Sequence, residues 1–460
     1  MFKKVFKLKE NKTTVRVELL AGFTTFLAMA YILIVNPQIL GTVINTPGNP
    51  EAYLGQLVFV TALSGAFGSI LMGILGNLPV ALAPGMGMNA FVAFTVAAPV
   101  AMGGMGFTWQ QALAAVFLSG IIFILITATG LREKVIRAIP NSLKAAVGVG
   151  IGFFIAFIGL QKSGIIIPNE GTFVGMGDLT NPKVLLSIFG VLVIFFLMSR
   201  KVKASVFFGI VISTIVGLII TYTAGAANGF WDLGVMLPSN GIFSWTPPVD
   251  LFGQCFGAIP SLLTAEHITG TLIVIITVLF VDFFDATGTL LSVTRRAGLI
   301  EKDGQPKNVG RALFADSIAT TAGAVMGTSS VTTYVESLTG VEVGGKTGLT
   351  SVFTGIFFLI ATIFAPIFAI VTPEITAPAL IVVGCLMAQS LGEIDFKDKE
   401  TAFAAFITII MMLLTFSIAK GIAFGFIVYG FLMLASGRAK EVPVLIYVLD
   451  VLFILILALS

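Results

Sequence analysis

Apolar residues fill long stretches of this chain, and polar residues gather in short breaks between them. The bilayer's hydrocarbon core is about 30 Å thick, so a spanning helix needs about 20 mostly apolar residues. Such runs recur near 17–37, 53–75, 78–98, 108–130, 141–161, 183–199 and 204–222 in the first half. In the second half they fall near 264–291, 309–326, 327–340, 347–370, 374–392, 400–418 and 421–437. The short alternating strands of a membrane β-barrel do not occur. Helices satisfy their own backbone groups in lipid, so the pattern predicts an all-α polytopic membrane protein with about 14 transmembrane segments. The stretch 223–263 reads as a connector rich in Gly, Pro and Trp, whose Trp231 and Trp245 suit an interfacial position. The apolar tail 441–460 reads as an interfacial helix or a fifteenth span.

Composition sharpens this picture. The chain is 57% hydrophobic and 11% charged, with a mean hydropathy of +1.04. A net charge of +3, with basic residues dispersed near segment ends, suggests no nucleic-acid partner. Two cysteines, Cys255 and Cys385, imply no disulfide framework, and with a single His they build no His/Cys metal site. No cofactor is expected. With the N-terminus in the cytoplasm, alternating segments leave only Lys162, Lys183 and Lys420 of the 26 basic residues on the outer side. That asymmetry predicts a multi-pass protein of the cytoplasmic membrane in this orientation. Seven segments per half is an odd number, so the second half runs inverted relative to the first. The repeats are read as 1–230 and 231–440, with 441–460 appended. Inverted repeats are a common plan of alternating-access transporters, with the substrate site near the midplane where the repeats meet.

Two segments break the helical pattern. Segment three reads NLPVALAPGMGMNAFVAF (77–94), where Pro79 and Pro84 interrupt any continuous helix. A short extended piece, Val80 to Ala83, is expected before a half-helix beginning near Asn89. Segment ten reads GTSSVTTYVESLTGV (327–341), where the β-branched and aromatic run Val331 to Val335 favours an extended piece. Glu336 would then open a second half-helix. Interrupted segments at matching places in two halves are the best sequence pointer to a transporter's binding site.

Asp282 and Asp285 lie inside the apolar run 271–293 with no Lys or Arg beside them. An intramembrane carboxylate costs at least a few kcal/mol, which marks it for function. Three residues apart, both project onto one helix face. Asp282 is read either as a ligand or as a cap for a neighbouring broken segment. Asp285 is the better candidate for substrate contact, because Gly288 permits close approach. With Glu336 they form an acidic cluster that can carry a coupling proton. Asp316, Thr25 and Thr333, together with Asp282, are candidates for supporting the site or for proton coupling. Phe283 and Phe284 offer faces for a planar ligand, and Glu266 and His267 read as interfacial. A channel would need a continuous polar pore, and an enzyme would need a metal or a nucleophile–base set that this chain lacks.

GFTTFLAMAYI in segment one, APGMGMNA in segment three, VDFFDATGTL in segment eight and GTSSVTTYVES in segment ten resemble the AzgA-like branch of the nucleobase–cation symporter-2 family. The likeness runs over nearly the whole chain. It implies proton-coupled uptake of hypoxanthine and guanine, with adenine in some members; uracil or xanthine symport is the alternative within the fold. It also implies a core domain from 17–130 and 264–370 and a gate domain from 141–222 and 374–437, often in homodimers. The purine-binding residues it implies are Asn89, Asp285 and Glu336, with Asp282 competing for the segment-eight role. A neutral purine presents ring N–H donors to carboxylates and carbonyl or ring-nitrogen acceptors to an amide. An anionic substrate would need the Arg or Lys that the interior lacks.

Overall fold

The computed structural model of the chain describes residues 5–44, 53–129, 139–226, 229–237, 241–300 and 306–459. Lys3, Lys4, Arg132, Lys134, Arg137 and Lys302, which contribute to the charge asymmetry, lie outside the described residues.

The first apolar stretch is a pair of helices, α1 (Val15–Met29) and α2 (Ile32–Leu40). Thr14 opens α1 by accepting from the Val17 amide. Pro37, inside α2, has no N–H and crowds the carbonyl four residues back. At the joint the Leu33 and Ile34 amides turn to the carbonyls of Ala30 and Tyr31. Helix α3 (Leu54–Leu75) follows. Strand β1 (Leu82–Pro84) comes next, then the short helix α4 (Met86–Phe91) and a π turn over Val92–Val96. A capping box between Thr108 and Gln111 starts α5 (Trp109–Ala128). The half ends with α6 (Asn141–Lys162), the hairpin β2 (Ile166–Asn169) and β3 (Phe173–Met176), α7 (Pro182–Ser199) and α8 (Ser205–Ile220).

The connector contains a helix the composition had not suggested, α9 (Gln254–Leu262), which packs on α5. The second half opens with α10 (Ile268–Ala297), which starts four residues later than expected because residues 264–267 form a turn. At 30 residues it is about 45 Å long, well beyond the hydrocarbon thickness. Then come α11 (Val309–Met326), β4 (Val331–Thr333), α12 (Ser337–Val343), α13 (Gly348–Ala361) and α14 (Ala365–Ala369). The last are α15 (Pro373–Met387), α16 (Lys399–Leu414), α17 (Ile418–Ala435) and α18 (Val444–Leu459). Ten helical stretches among the described residues are long and apolar enough to cross a membrane. At 16 residues, α18 measures about 24 Å, shorter than the hydrocarbon core. It lies on α17 and reaches α10, with Phe453 against Phe280 and Phe426.

Several of the closest helix pairs join one half of the chain to the other: α3 with α13, α6 with α15, α5 with α11, and α1 with α12 and α13. Small residues make this possible, as they do between membrane helices generally. A Cβ on Gly384 would strike the Gly152 backbone across the α6–α15 contact, and one on Gly348 would strike Gly73 across α3–α13.

The strands are the other link. β1 and β4 run antiparallel, with Leu82 opposite Thr333, Ala83 opposite Thr332 and Pro84 opposite Val331. Two three-residue strands hold little by themselves, and side chains complete their hydrogen bonding. Ser69 of α3 receives the Leu82 amide and donates to the Leu82 carbonyl, both at 2.9 Å. The Ala81 amide donates to Ser337 Oγ (3.0 Å), and the Tyr334 amide to the Ala81 carbonyl. The strand lies at 82–84 rather than 80–83, so Pro84 ends it without a missing ladder bond.

Candidate functional site

The carboxyl groups expected to act together occupy three different settings. Asp282 is fully buried in α10. It accepts from Ser330 Oγ at 3.1 Å and from Thr320 Oγ1 at 3.4 Å. Thr320 also meets Ser330 Oγ (3.0 Å) and donates to the Val331 carbonyl (3.2 Å). Asp282 thus fastens the approach to β4 onto α10, which is the capping alternative. Asp316 acts likewise: buried in α11, it accepts from Thr332 Oγ1 at 3.3 Å and steadies β4. Thr333 reaches back to the Ala286 carbonyl at 3.5 Å.

Asp285, one turn along from Asp282, is only half-buried. It makes no hydrogen bond or ion pair among the described residues, and it feels the charges of both Asp282 and Glu336. Gly288, the next turn on, is exposed, with nothing within 4 Å of where a Cβ would stand. Glu336 is also half-buried and sits at the N-terminal boundary of α12, as expected. Its Oε1 accepts from the Tyr31 hydroxyl at 2.6 Å. No Lys or Arg forms an ion pair with Asp285 or Glu336 among the described residues.

Asn89 differs from the expectation. Gly85, in extended conformation, caps α4, so the helix begins at Met86 and Asn89 lies within its first turn. The Asn89 amide already donates to the Gly85 carbonyl. The early start follows from the shifted strand: the Gly85 amide is tied to the Ser330 carbonyl at 2.9 Å, so the chain turns into helix at once. Asn89 is fully buried, its Oδ1 receives Ser329 Oγ, and its Nδ2 has no partner among the described residues. A buried amide N–H₂ without an acceptor costs about 1–3 kcal/mol, unless something arriving from outside satisfies it. Ser329 and Ser330 thus link Asn89 and Asp282 to one loop, which continues through β4 to Glu336.

Thr25 is buried with an unpartnered hydroxyl, and Gly340 of α12 leaves room for it. Its neighbour Thr24 is satisfied by the Leu20 carbonyl of its own helix. Phe283 is buried edge-on to Phe123, with ring centroids 6.4 Å apart. The side chain of Phe284 lies outside the described residues. His267 meets Thr264 and the Phe107 ring at the start of α10, while Glu266 is exposed.

Sequence reasoning missed three side chains. Tyr31 is 1% exposed at the joint between α1 and α2. Tyr334 is buried and donates to the Pro84 carbonyl at 2.5 Å, stapling the strand ends together. A buried tyrosine needs a hydroxyl partner, a signal the motifs GFTTFLAMAYI and GTSSVTTYVES already carried. Glu18 is a buried acid of another kind. It takes five hydrogen bonds from the amides and hydroxyls at Lys346, Thr347 and Thr350, and so pins α1 to the start of α13.

Known proteins were then compared with the chain. A family model described as Permease family, of the xanthine/uracil permease type, matches residues 16–424. The guanine/hypoxanthine permease PbuG of Bacillus subtilis is 46% identical over 455 residues, covering 98% of each chain. The adenine permease AdeQ of Escherichia coli is 42% identical over 454 residues, covering 98% of this chain and 95% of its own. Among solved structures, the transmembrane domain of the cyanobacterial bicarbonate transporter BicA superposes with a TM-score of 0.60 at 17% identity, over 87% of this chain and 97% of that one. SLC26A9 gives a TM-score of 0.57 at 15% identity, over 93% of this chain and 66% of that one. These structures share the fold.

Proposed function

The chain belongs to the nucleobase–cation symporter-2 permease family, and on that premise we propose that it takes up purine nucleobases, hypoxanthine and guanine foremost, together with protons. It is a membrane permease rather than an enzyme. One observation carries the reading at the site. Two half-buried carboxylates, Asp285 and Glu336, stand without a cationic partner among the described residues, and the buried amide Asn89 is joined through Ser329 and Ser330 to the helix that carries Asp285. The acids accept ring N–H groups of a neutral purine, and Asn89 Nδ2 donates to its carbonyl or ring nitrogen. Adenine is the second candidate substrate. A carboxyl that alternates between binding a proton and receiving a substrate N–H couples the two fluxes.

Movement fits the same scheme. We read fourteen segments as two inverted sets of seven, with β1–α4 and β4–α12 as the broken ones. α1–α5 and α10–α14 form the core, and α6–α8 and α15–α17 the gate. Alternating access rocks one against the other around a fixed midplane site. Several contacts cross that boundary and must part when the site opens there. Gln38 of α2 bonds to Thr376 and to the Val371 carbonyl, Lys162 of α6 lies 5.3 Å from the Phe94 ring, and Thr95 reaches the Phe416 carbonyl at 3.5 Å. With a cytoplasmic N-terminus all of these face outward, so this arrangement is closed to the outside. A homodimer is part of the same proposal.

The test is radiolabelled hypoxanthine uptake in cells stripped of their own purine permeases. The expected result is saturable uptake that unlabelled guanine competes away and a protonophore abolishes. Uptake that ignores the protonophore and follows a sodium gradient would replace the coupling ion. Flux that never saturates would remove the carrier reading.

A further inference from the structure

We propose that Tyr31 is a positioning residue: its hydroxyl holds one oxygen of Glu336 so that the other stands ready for the substrate. This rests on the reading of Glu336 as a purine ligand.

Glu336 sits where β4 gives way to α12; its side chain caps no amide of the following turn and meets only its own backbone N–H. A glutamate at such a place has three rotatable torsions and an entropic cost for each it must fix on binding. The 2.6 Å bond from Tyr31 Oη to Oε1 fixes it beforehand. Tyr31 itself is immobile. It is 1% exposed among Met29, Ile32 and Leu33 in the core, at the joint between α1 and α2. The two residues are 305 positions apart, so the bond ties segment one to the strand–helix junction of segment ten. Tyr334 donates to the Pro84 carbonyl, and Asp285 makes no hydrogen bond among the described residues. Tyr31 is therefore the side chain that donates to Glu336 among the described residues, beside the backbone N–H of Glu336 itself. With Oε1 engaged by Tyr31, the carboxylate presents its remaining lone pairs, chiefly those of Oε2, to a purine ring N–H.

Tyr31→Phe removes only the hydroxyl and keeps the ring. The expected result is a KM for hypoxanthine raised roughly tenfold, with kcat within about twofold and an unchanged melting temperature in detergent. A purely structural role would instead lower the melting temperature and kcat and leave KM alone. Glu336→Asp retracts the carboxylate from Tyr31 by one methylene. In that background Tyr31→Phe should add less than about twofold, because the bond it removes is already gone. If Tyr31→Phe inserts poorly, equilibrium binding of tritiated hypoxanthine to the purified protein gives the same comparison. A silent Tyr31→Phe beside a damaging Glu336→Asp overturns the inference and leaves the site standing. A tenfold penalty that persists undiminished in the Glu336→Asp background also overturns it. A silent Glu336→Asp removes Glu336 from the site, and the role of Tyr31 falls with it.

Discussion

The two strand–helix junctions occupy matching places in the two halves of the chain, yet they hold their polar side chains by different means. At β1–α4 the key residue, Asn89, lies within the helix, fully buried and braced by Ser329. At β4–α12 the key residue, Glu336, lies at the helix boundary, half-buried, and is steadied from another segment by Tyr31. The difference follows from charge. A neutral amide can be buried if its oxygen is satisfied, and its unused N–H₂ then waits for a ligand. A carboxylate buried to the same depth needs several donors to offset its desolvation, as Asp282 and Glu18 have. Glu336 stays half-buried and takes a phenol as partner. The acids of α10 repeat the contrast within one turn. Asp282 is fully buried and bonded to Thr320 and Ser330, whereas Asp285 is half-buried and unbonded among the described residues.

Substitutions test the contrast between enclosed and open polar groups. The largest effects are expected at the half-buried acids. Glu336→Gln and Asp285→Asn should each cut hypoxanthine uptake at least about hundredfold while membrane insertion stays normal. Full activity in either would take that residue out of the site. At the amide junction Asn89→Ala should raise KM roughly tenfold, because one neutral hydrogen bond to the substrate is lost. An unchanged KM would mean that Nδ2 is satisfied by ordered water rather than by substrate.

The buried acid should behave in the opposite way. Asp282→Asn keeps the shape but weakens the clasp on Ser330 and Thr320. The melting temperature should fall by a few degrees while KM of the inserted protein stays within about threefold. A large KM effect at normal stability would move Asp282 from clasp to ligand. The smallest effect belongs to a control far from either junction, where Arg438 binds Asp398 (2.9 Å), Glu400 (3.3 Å) and Glu441 (2.9 Å). The hydrogen-bonded Arg438 guanidinium holds the Asp398 carboxyl below its usual range. That contribution is complete above the unfolded value of about 3.9 and is lost as pH falls through the lower folded value. Arg438→Gln should melt a degree or two lower at neutral pH, with the gap closing below about pH 4 and uptake unchanged.

The segments themselves were written locally. A helix at 309–326 and helices within two residues of the expected limits at 54–75, 141–162 and 182–199 follow from apolar length and turn chemistry alone. So does the extended piece at 331–333, because β-branched residues favour it wherever they stand. The hairpin at 166–176 and the helix at 254–262 were not legible, since short elements in polar, Gly-rich connectors carry too little period to read.

The chain's own residues sufficed for the membrane setting and for acids with no cation beside them in sequence, and they predicted inverted halves. The fold then bonded Asp282 to Ser330 and Thr320 and left Asp285 without a hydrogen bond among the described residues. The register of β1 against β4 did this, because it carries Ser330 to Asp282 and leaves Asp285 alone. The same register started α4 early and enclosed Asn89, and the joint at Ala30–Tyr31 brought a phenol to Glu336. These partners lie 48 to 305 residues apart along the chain. Helical period and residue type act over a few residues, so they fix where an element lies, while the choice of its distant partner belongs to the folded whole.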